Sequence, residues 1–173
     1  MEVFLIRHTC PDISKGLIYG RLDVPLAATF NEEKEAIIRQ LPDGIDAVYS
    51  SPSERCTQLA KELSSSYITD EDLYEMNFGV WEAQTWETIN RGESEFWLED
   101  FVNRCPPEGE TLGEMQVRVM RFWNKLHKSD AERVVLVTHA GVIRLILCQI
   151  NTLPLSSFFD ITVEYGEVIK MDI

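Results

Sequence analysis

Each of three apolar, β-favouring runs in this sequence is followed by side chains that can carry positive charge. Arg7 and His8 follow the first run, Arg55 follows the second, and His139 follows the third. If the runs are parallel strands of one sheet, these side chains emerge at the edge where α/β proteins bind ligands. A lone histidine at a strand end is commonly a local cap. Three such ends favour an anion-binding site.

Several familiar phosphate-handling designs are missing from the sequence. It contains no GxxxxGK loop and no CxxxxxR loop. The DxD pattern Asp70-Glu71-Asp72 has no strong apolar strand before it, so a solvated turn is favoured over a nucleophilic aspartate. The three histidines lack HxH or HExxH spacing, which argues against a metal site, and no cofactor is expected.

Histidine is the nucleophile that remains. A neutral imidazole can attack phosphorus and form a phosphohistidine that water then hydrolyses. Fixed cationic donors would meet the charge that develops on the phosphoryl oxygens. The leaving alkoxide needs a proton, so a carboxylic acid is expected opposite the nucleophile. Glu75 and Glu82 are both candidates for that acid, and their spacing does not choose between them.

Composition and charge narrow the choice of partner. A net charge of −13 on 173 residues argues against nucleic acid and against an anionic membrane surface. Local arginines can still bind an anion, because remote charges are screened beyond about 8 Å at physiological salt. Four scattered cysteines, no apparent signal peptide and no long apolar run predict a cytoplasmic protein with reduced thiols.

The predicted elements form a three-layer α/β/α sandwich with a mostly parallel sheet. An antiparallel strand or hairpin ends the chain, and a helical insert covers the active-site edge. Residues 1–173 are expected to form one domain. The predicted strands are 3–6, 47–49, 67–69, 134–138, 161–163 and 168–171. The predicted helices are 31–41, one that begins with a capping box of Ser51 and Glu54 and has Pro52 at its first position, 85–90, 93–102, 111–128, which begins with a capping box of Thr111 and Glu114, and 142–150.

The sequence resembles the histidine phosphatase superfamily, whose members are phosphoglycerate-mutase-like. The matching blocks are LIRHT at 5–9, SSPSERC at 50–56, LYEMNFG at 73–79 and THAG at 138–141, in the family's order. Three further segments resemble its alpha-ribazole phosphatase branch, namely 19–26, 78–82 and 107–111.

This resemblance implies a role for each matching residue. His8 would be the nucleophile, Arg7 and Arg55 would clamp the phosphoryl oxygens, His139 would contact the phosphate, and Glu75 would donate the proton. Substrate contacts are implied for Tyr19, Gly20, Arg21 and Ala140.

The sequence also departs from the family pattern at several positions. Thr9 stands where many members have Gly, and Ala83 does likewise further along. Ser14 stands where many members have a phosphate-contacting Asn, so that contact is not expected in the same form.

Together these features predict a phosphomonoesterase that acts through a phosphohistidine without metal, with alpha-ribazole 5′-phosphate as substrate. The expected partner is therefore a small-molecule phosphomonoester. One alternative is a broad-specificity sugar or metabolite phosphatase of the same superfamily. Another is a catalytically silent phosphoester-binding module, which Glu75 argues against because binding alone needs no proton donor.

Overall fold

The computed structural model describes residues 1–173 and has a five-stranded sheet at its centre. The strands are β1 (Glu2–Arg7), β2 (Ala47–Ser50), β3 (Ile68–Thr69), β4 (Arg133–Thr138) and β5 (Val168–Asp172). Their order across the sheet is β3-β2-β4-β1-β5, and every neighbouring pair is parallel except β1 with β5. The predicted mostly parallel sheet is confirmed.

Five α-helices connect and cover these strands. They are α1 (Phe30–Ile38), α2 (Glu54–Leu63), α3 (Arg91–Glu99), α4 (Leu112–Leu126) and α5 (Ala140–Ile150), with 3₁₀ turns at Glu71–Leu73, Gly79–Trp81 and Leu155–Asp160. None of the helices has the length and apolar character needed to cross a membrane.

Alternate side chains of β1 enter two separate apolar clusters, one on each face of the sheet. Val3 and Leu5 join the cluster formed with α4 and α5. Phe4 and Ile6 join the cluster formed with α1 and α2. Because both faces of β1 are buried, its sequence is a continuous apolar run rather than an alternating one. The predicted three-layer sandwich is therefore confirmed.

The two predicted capping boxes have different outcomes. At α4, Thr111 Oγ1 accepts from the backbone of Glu114 at 3.0 Å, and the Glu114 carboxylate accepts from the backbone of Thr111 at 2.8 Å, as predicted. At α2 the prediction is wrong, because the helix begins at Glu54 after Ser53, whose side chain makes no capping bond. The Ser51 hydroxyl binds a histidine ring instead, as described below.

Of the two helices predicted at 85–90 and 93–102, only the second is present, as α3. Thr85 and Thr88 bond each other through side chain and backbone, which holds this stretch in a turn. Only α3 is helical. Trp81 and Trp97 are buried in the core, at 1% and 2% exposure.

The C-terminal strand, β5, pairs with β1 and not with residues 161–163, its predicted hairpin partner. β5 runs antiparallel to β1, with Ile169 opposite Leu5. Residues 161–163 have no strand structure, so the chain ends in the predicted antiparallel strand without the hairpin. The Val163 carbonyl accepts a hydrogen bond from Arg7, which leaves this segment at the edge of the sheet beside the histidines.

Candidate active site

The register of the parallel β1–β4 pair brings two histidines together. Arg7 lies opposite Thr138 in this pair, so His8 and His139 leave the sheet side by side. Their ring centroids are 5.2 Å apart, and both side chains are buried. The first turn of α2 places Arg55 against both rings. The structure thus brings together the side chains that follow the three apolar runs.

Backbone contacts define the proton arrangement on His8. Its Nδ1 lies 2.8 Å from the carbonyl oxygen of Thr9, which can only accept, so Nδ1 carries the hydrogen. Nε2 keeps its lone pair and accepts from Nε of Arg55 at 3.3 Å. Burial, followed by the positive charges of Arg55 and Arg7, lowers the pKa of His8 well below its usual 6.5. The imidazole is therefore neutral at pH 7.

His139 is neutral for the same reasons. Its Nδ1 accepts from Nη2 of Arg55 at 3.3 Å, so the hydrogen is on Nε2, which donates to the Ser51 hydroxyl at 2.8 Å. Burial, followed by the charge of Arg55, lowers the pKa of His139 well below 6.5. The positive charge expected from histidines and arginines together comes from the arginines alone.

Arg55 is fully buried and is held by backbone carbonyls of the loop 10–26. Its Nη2 donates to Gly20 at 2.6 Å and its Nη1 donates to Leu22 at 2.9 Å. Gly20 has φ +37°, and a Cβ there would collide with the Glu82 carboxylate. A residue without a side chain is therefore needed where this loop approaches the histidines.

Arg7 extends from the end of β1 over the ring of Tyr165, with Cζ 3.6 Å from the ring centroid. Its Nη1 donates to the Val163 carbonyl at 2.6 Å. Its Nε is buried and has no hydrogen-bond partner in the chain. Such an unsatisfied buried donor is uncommon and is compatible with an anion as its partner.

The ten arginines differ in whether they form an ion pair with a carboxylate, and this difference distinguishes the site from the rest of the molecule. Six of them form an ion pair with a carboxylate. Of the four without one, Arg39 is exposed, and Arg7, Arg55 and Arg144 lie around the histidines or the adjoining cavity. In this chain of net charge −13, the arginines that are not exposed and have no carboxylate ion pair therefore all lie at one place.

Sequence analysis did not identify Arg144. Its Nε donates to the Ile161 carbonyl at 2.8 Å, its Nη groups make no hydrogen bond within the chain, and the residue lines the cavity. Burial lowers the pKa of this guanidinium. The available signal was its place on α5, one helical turn after Ala140, which puts both residues on the same helix face.

Glu75 lies against the N-terminus of α5. One carboxylate oxygen accepts from the backbone of Gly141 at 3.2 Å, and the other accepts from Met76 at 2.9 Å. A Cβ at position 141 would collide with this carboxylate, which explains the glycine of the THAG block. Glu75 also lines the cavity, together with Ala140.

Glu82, the other candidate acid, has a different position. Its carboxylate accepts from the backbone of Arg21 at 3.0 Å and of Phe78 at 3.1 Å, so it joins two loops and does not line the cavity. The guanidinium of Arg21 is likewise directed away, onto Glu110 and the Glu75 carbonyl. The structure therefore does not bring Glu82 or Arg21 to the cavity.

The cavity beside the histidines has a volume of about 180 Å³. Its wall contains three charged residues, six apolar or aromatic residues and one glycine. The lining residues are Arg7, Glu75, Arg144, Tyr19, Gly20, Ala140, Leu17, Ile18, Phe78 and Trp86. Larger grooves lie on α4 and beside α3, but neither includes Arg7, Glu75 or Arg144.

Only one tryptophan contributes to this wall. Trp86 is 44% exposed and lines the cavity, whereas Trp81 is a core residue. Trp81 therefore offers no surface to the cavity. Ser14 does not line the cavity either.

The two neutral histidines should make the stability of the folded protein depend on pH. Because each folded-state pKa is lowered, the unfolded chain takes up protons below pH 6.5 that the folded chain does not. Between about pH 7.5 and 5.5 the free energy of unfolding should fall by about 1.4 kcal/mol for each histidine. Urea titrations at both pH values measure this, and His8→Gln should remove about half of the decrease. An unchanged decrease in that variant would contradict the protonation states described above.

The chain matches a known protein family over almost its whole length. The sequence model of the histidine phosphatase superfamily (branch 1) matches residues 3–173. The crystal structure of the alpha-ribazole phosphatase from Shigella flexneri superimposes with a TM-score of 0.92 at 27% identity, covering 100% of this chain and 91% of that one.

Two further relatives carry different names. An adenosylcobalamin/alpha-ribazole phosphatase of Salmonella typhimurium is 28% identical over 96% of this chain and 87% of its own. A Hydrogenobacter thermophilus protein provisionally named phosphoserine phosphatase 2 is 28% identical over 98% of this chain and 88% of its own. The family match spans nearly the whole sequence, and its blocks converge on the paired histidines, so the chain belongs to the histidine phosphatase superfamily.

Proposed function

We propose that this protein hydrolyses phosphomonoesters through a phosphate bound transiently to Nε2 of His8. The observation that carries this proposal is the state of His8, which is neutral, has its hydrogen on Nδ1, and has its lone pair beside an arginine. An imidazole in this state can attack phosphorus without first losing a proton. The proposed roles of Arg7, Arg55 and His139 follow the family blocks.

In the first step the lone pair of Nε2 forms a bond to phosphorus while the bond from phosphorus to the alcohol oxygen breaks. Glu75, at the N-terminus of α5, gives its proton to that oxygen. In the second step the Glu75 carboxylate takes a proton from water, whose oxygen attacks phosphorus. The bond to Nε2 breaks, and inorganic phosphate leaves.

The arginines would stabilise both steps. The charges of Arg55 and Arg7 that help to keep His8 neutral also favour the negative oxygens of a phosphoryl group. Arg7 offers its unpaired Nε, and Arg55 is held rigidly by two carbonyls. Because these donors are already in place, little reorganisation is needed when charge develops.

The proposed substrate is alpha-ribazole 5′-phosphate, as in the relatives that carry that name. A cavity of about 180 Å³ accommodates a phosphate and part of a ribose, so the base would lie at the half-exposed face of Trp86. The Nη groups of Arg144, which have no partner in the chain, can donate hydrogen bonds to ribose oxygens. A broad-specificity phosphatase is the alternative, favoured by the varied names of the relatives.

The molecule is proposed to work as a single domain on a small-molecule ester. This is supported by one sheet whose two faces carry the two apolar clusters. The cytoplasmic location expected from the sequence stays a prediction.

His8→Ala is expected to lower turnover by at least about 10⁴-fold, because alanine has no lone pair that can attack phosphorus. Quenching of the wild type without acid, followed by mass spectrometry, should find phosphate on His8. His127→Gln, which changes the only histidine outside the site, serves as control and should keep both activity and adduct. Activity should survive EDTA. Phosphate trapped on Cys10 or on an aspartate would exclude the mechanism.

Glu75→Gln keeps the shape of the side chain but removes its transferable proton. The rate should fall by about 10²–10⁴ on an alkyl phosphate and far less on p-nitrophenyl phosphate, whose leaving group needs little protonation. Glu82→Gln is the matched control, and it should affect both esters alike because Glu82 only joins two loops. Equal losses for Glu75→Gln on both esters would refute its role as the acid.

Alpha-ribazole 5′-phosphate should be preferred over 3-phosphoglycerate by about 10² in kcat/KM, which corresponds to about 2.7 kcal/mol. Trp86→Leu should reduce this preference about 10-fold, since stacking of a base on an aromatic ring is lost. Phe96→Leu, at an exposed aromatic residue outside the cavity, should leave the preference unchanged. A flat profile across a panel of phosphomonoesters would favour the broad-specificity alternative.

A further inference from the structure

A buried ion pair lies behind the candidate acid and outside the cavity. Arg118 of α4 holds the carboxylate of Glu110 with two bonds, from Nε at 3.0 Å and from Nη2 at 2.7 Å. The two side chains are only 11% and 13% exposed. Glu110 belongs to the segment 107–111, which resembles one of the branch motifs but has no role in the proposed chemistry.

The remaining donors of Arg118 all bind the segment that carries Glu75. Nη1 donates to the carbonyls of Asp72 at 2.8 Å and Tyr74 at 2.6 Å, and Nη2 donates to the carbonyl of Glu75 itself at 3.1 Å. One guanidinium therefore fixes three carbonyls within residues 72–75, the last of which belongs to the acid itself.

Glu110 holds the same segment from the other side. Its Oε1 accepts from the backbone of Asn77 at 2.8 Å and from Nη2 of Arg21 at 3.2 Å. Arg21 in turn donates from Nε to the Glu75 carbonyl at 3.4 Å. The backbone is thus bound immediately before and immediately after Glu75.

These contacts matter because residues 74–78 belong to no helix or strand. No regular backbone ladder sets the position of Glu75, whereas His8 directly follows a central strand. An error of about 1 Å in the placement of a catalytic group can cost about 10² in rate. The acid therefore needs an external support of this kind.

We propose that Glu110 and Arg118 are positioning residues that hold Glu75 in place for proton transfer. This inference rests on the proposed function of Glu75 as the acid. Neither residue lines the cavity, so both act through the backbone of residues 72–77. A buried ion pair is weak support for a purely stabilising role, because apolar residues of similar volume often stabilise a fold equally well.

The test compares Glu110→Gln and Arg118→Lys with the wild type on an alkyl phosphate and on p-nitrophenyl phosphate. We expect kcat on the alkyl ester to fall by about 10- to 100-fold, with less than about 3-fold loss on the nitrophenyl ester. Arg121→Gln is the matched control: it lies one turn along α4 and binds only the Asp72 side chain, so both esters should be hydrolysed normally.

Combination with Glu75→Gln separates positioning from general damage. If Glu110 and Arg118 act through the acid, adding either change to Glu75→Gln should cost less than about 3-fold more on the alkyl ester. Thermal melts identify the folded fraction, and Glu110→Gln, which keeps the shape of the side chain, carries the test if Arg118→Lys does not fold.

Three outcomes would overturn the inference. The first is an equal loss on both esters, the second is a full further loss in the Glu75→Gln background, and the third is normal activity of folded Glu110→Gln. If the single variant Glu75→Gln loses the same activity on both esters, Glu75 is not the acid. That result would refute the proposed function and remove the basis of the inference. The two failures are therefore distinguishable.

Discussion

The central constraint in this structure is positive charge that is buried without a carboxylate partner. Arg55 is in contact with both histidines and also donates to two backbone carbonyls, which carry no net charge. A carboxylate in that place would cancel the field, and the neutral state of the imidazoles would lose one of its causes. The same field is suited to a phosphoryl group. Nucleophile and anion site therefore depend on one arrangement.

Much of the surrounding structure serves that arrangement. The in-register pairing of β1 with β4 sets the histidines side by side, and α2 adds the arginine. The loop 10–26 must then approach closely enough to offer its carbonyls, which is why Gly20 has no room for a side chain. The other buried arginine of the protein, Arg118, differs from Arg55 in having a carboxylate partner, Glu110.

The proposed nucleophile and the proposed acid are held in position in different ways. His8 takes its position from the most buried part of the sheet, where backbone pairing tolerates little displacement. Glu75 lies on an irregular segment, which allows it to reach the N-terminus of α5 but gives it no regular support. Side-chain contacts from Arg118 and Glu110 supply that support. A rigid sheet edge and a cross-linked loop thus meet at the cavity.

The sequence by itself determined the sheet, the sandwich and the convergence of His8, Arg55 and His139, because these follow from apolar periodicity and from polar residues at strand ends. Local signals were less reliable where side chains had a tertiary partner, as when Ser51 bonded His139 instead of capping α2. Charge states, the cavity place of Arg144, the core position of Trp81 and the different surroundings of Glu75 and Glu82 were decided only by the tertiary structure. The physical reason is that burial, hydrogen-bond partners and nearby charges come from segments distant in sequence, which no local pattern encodes.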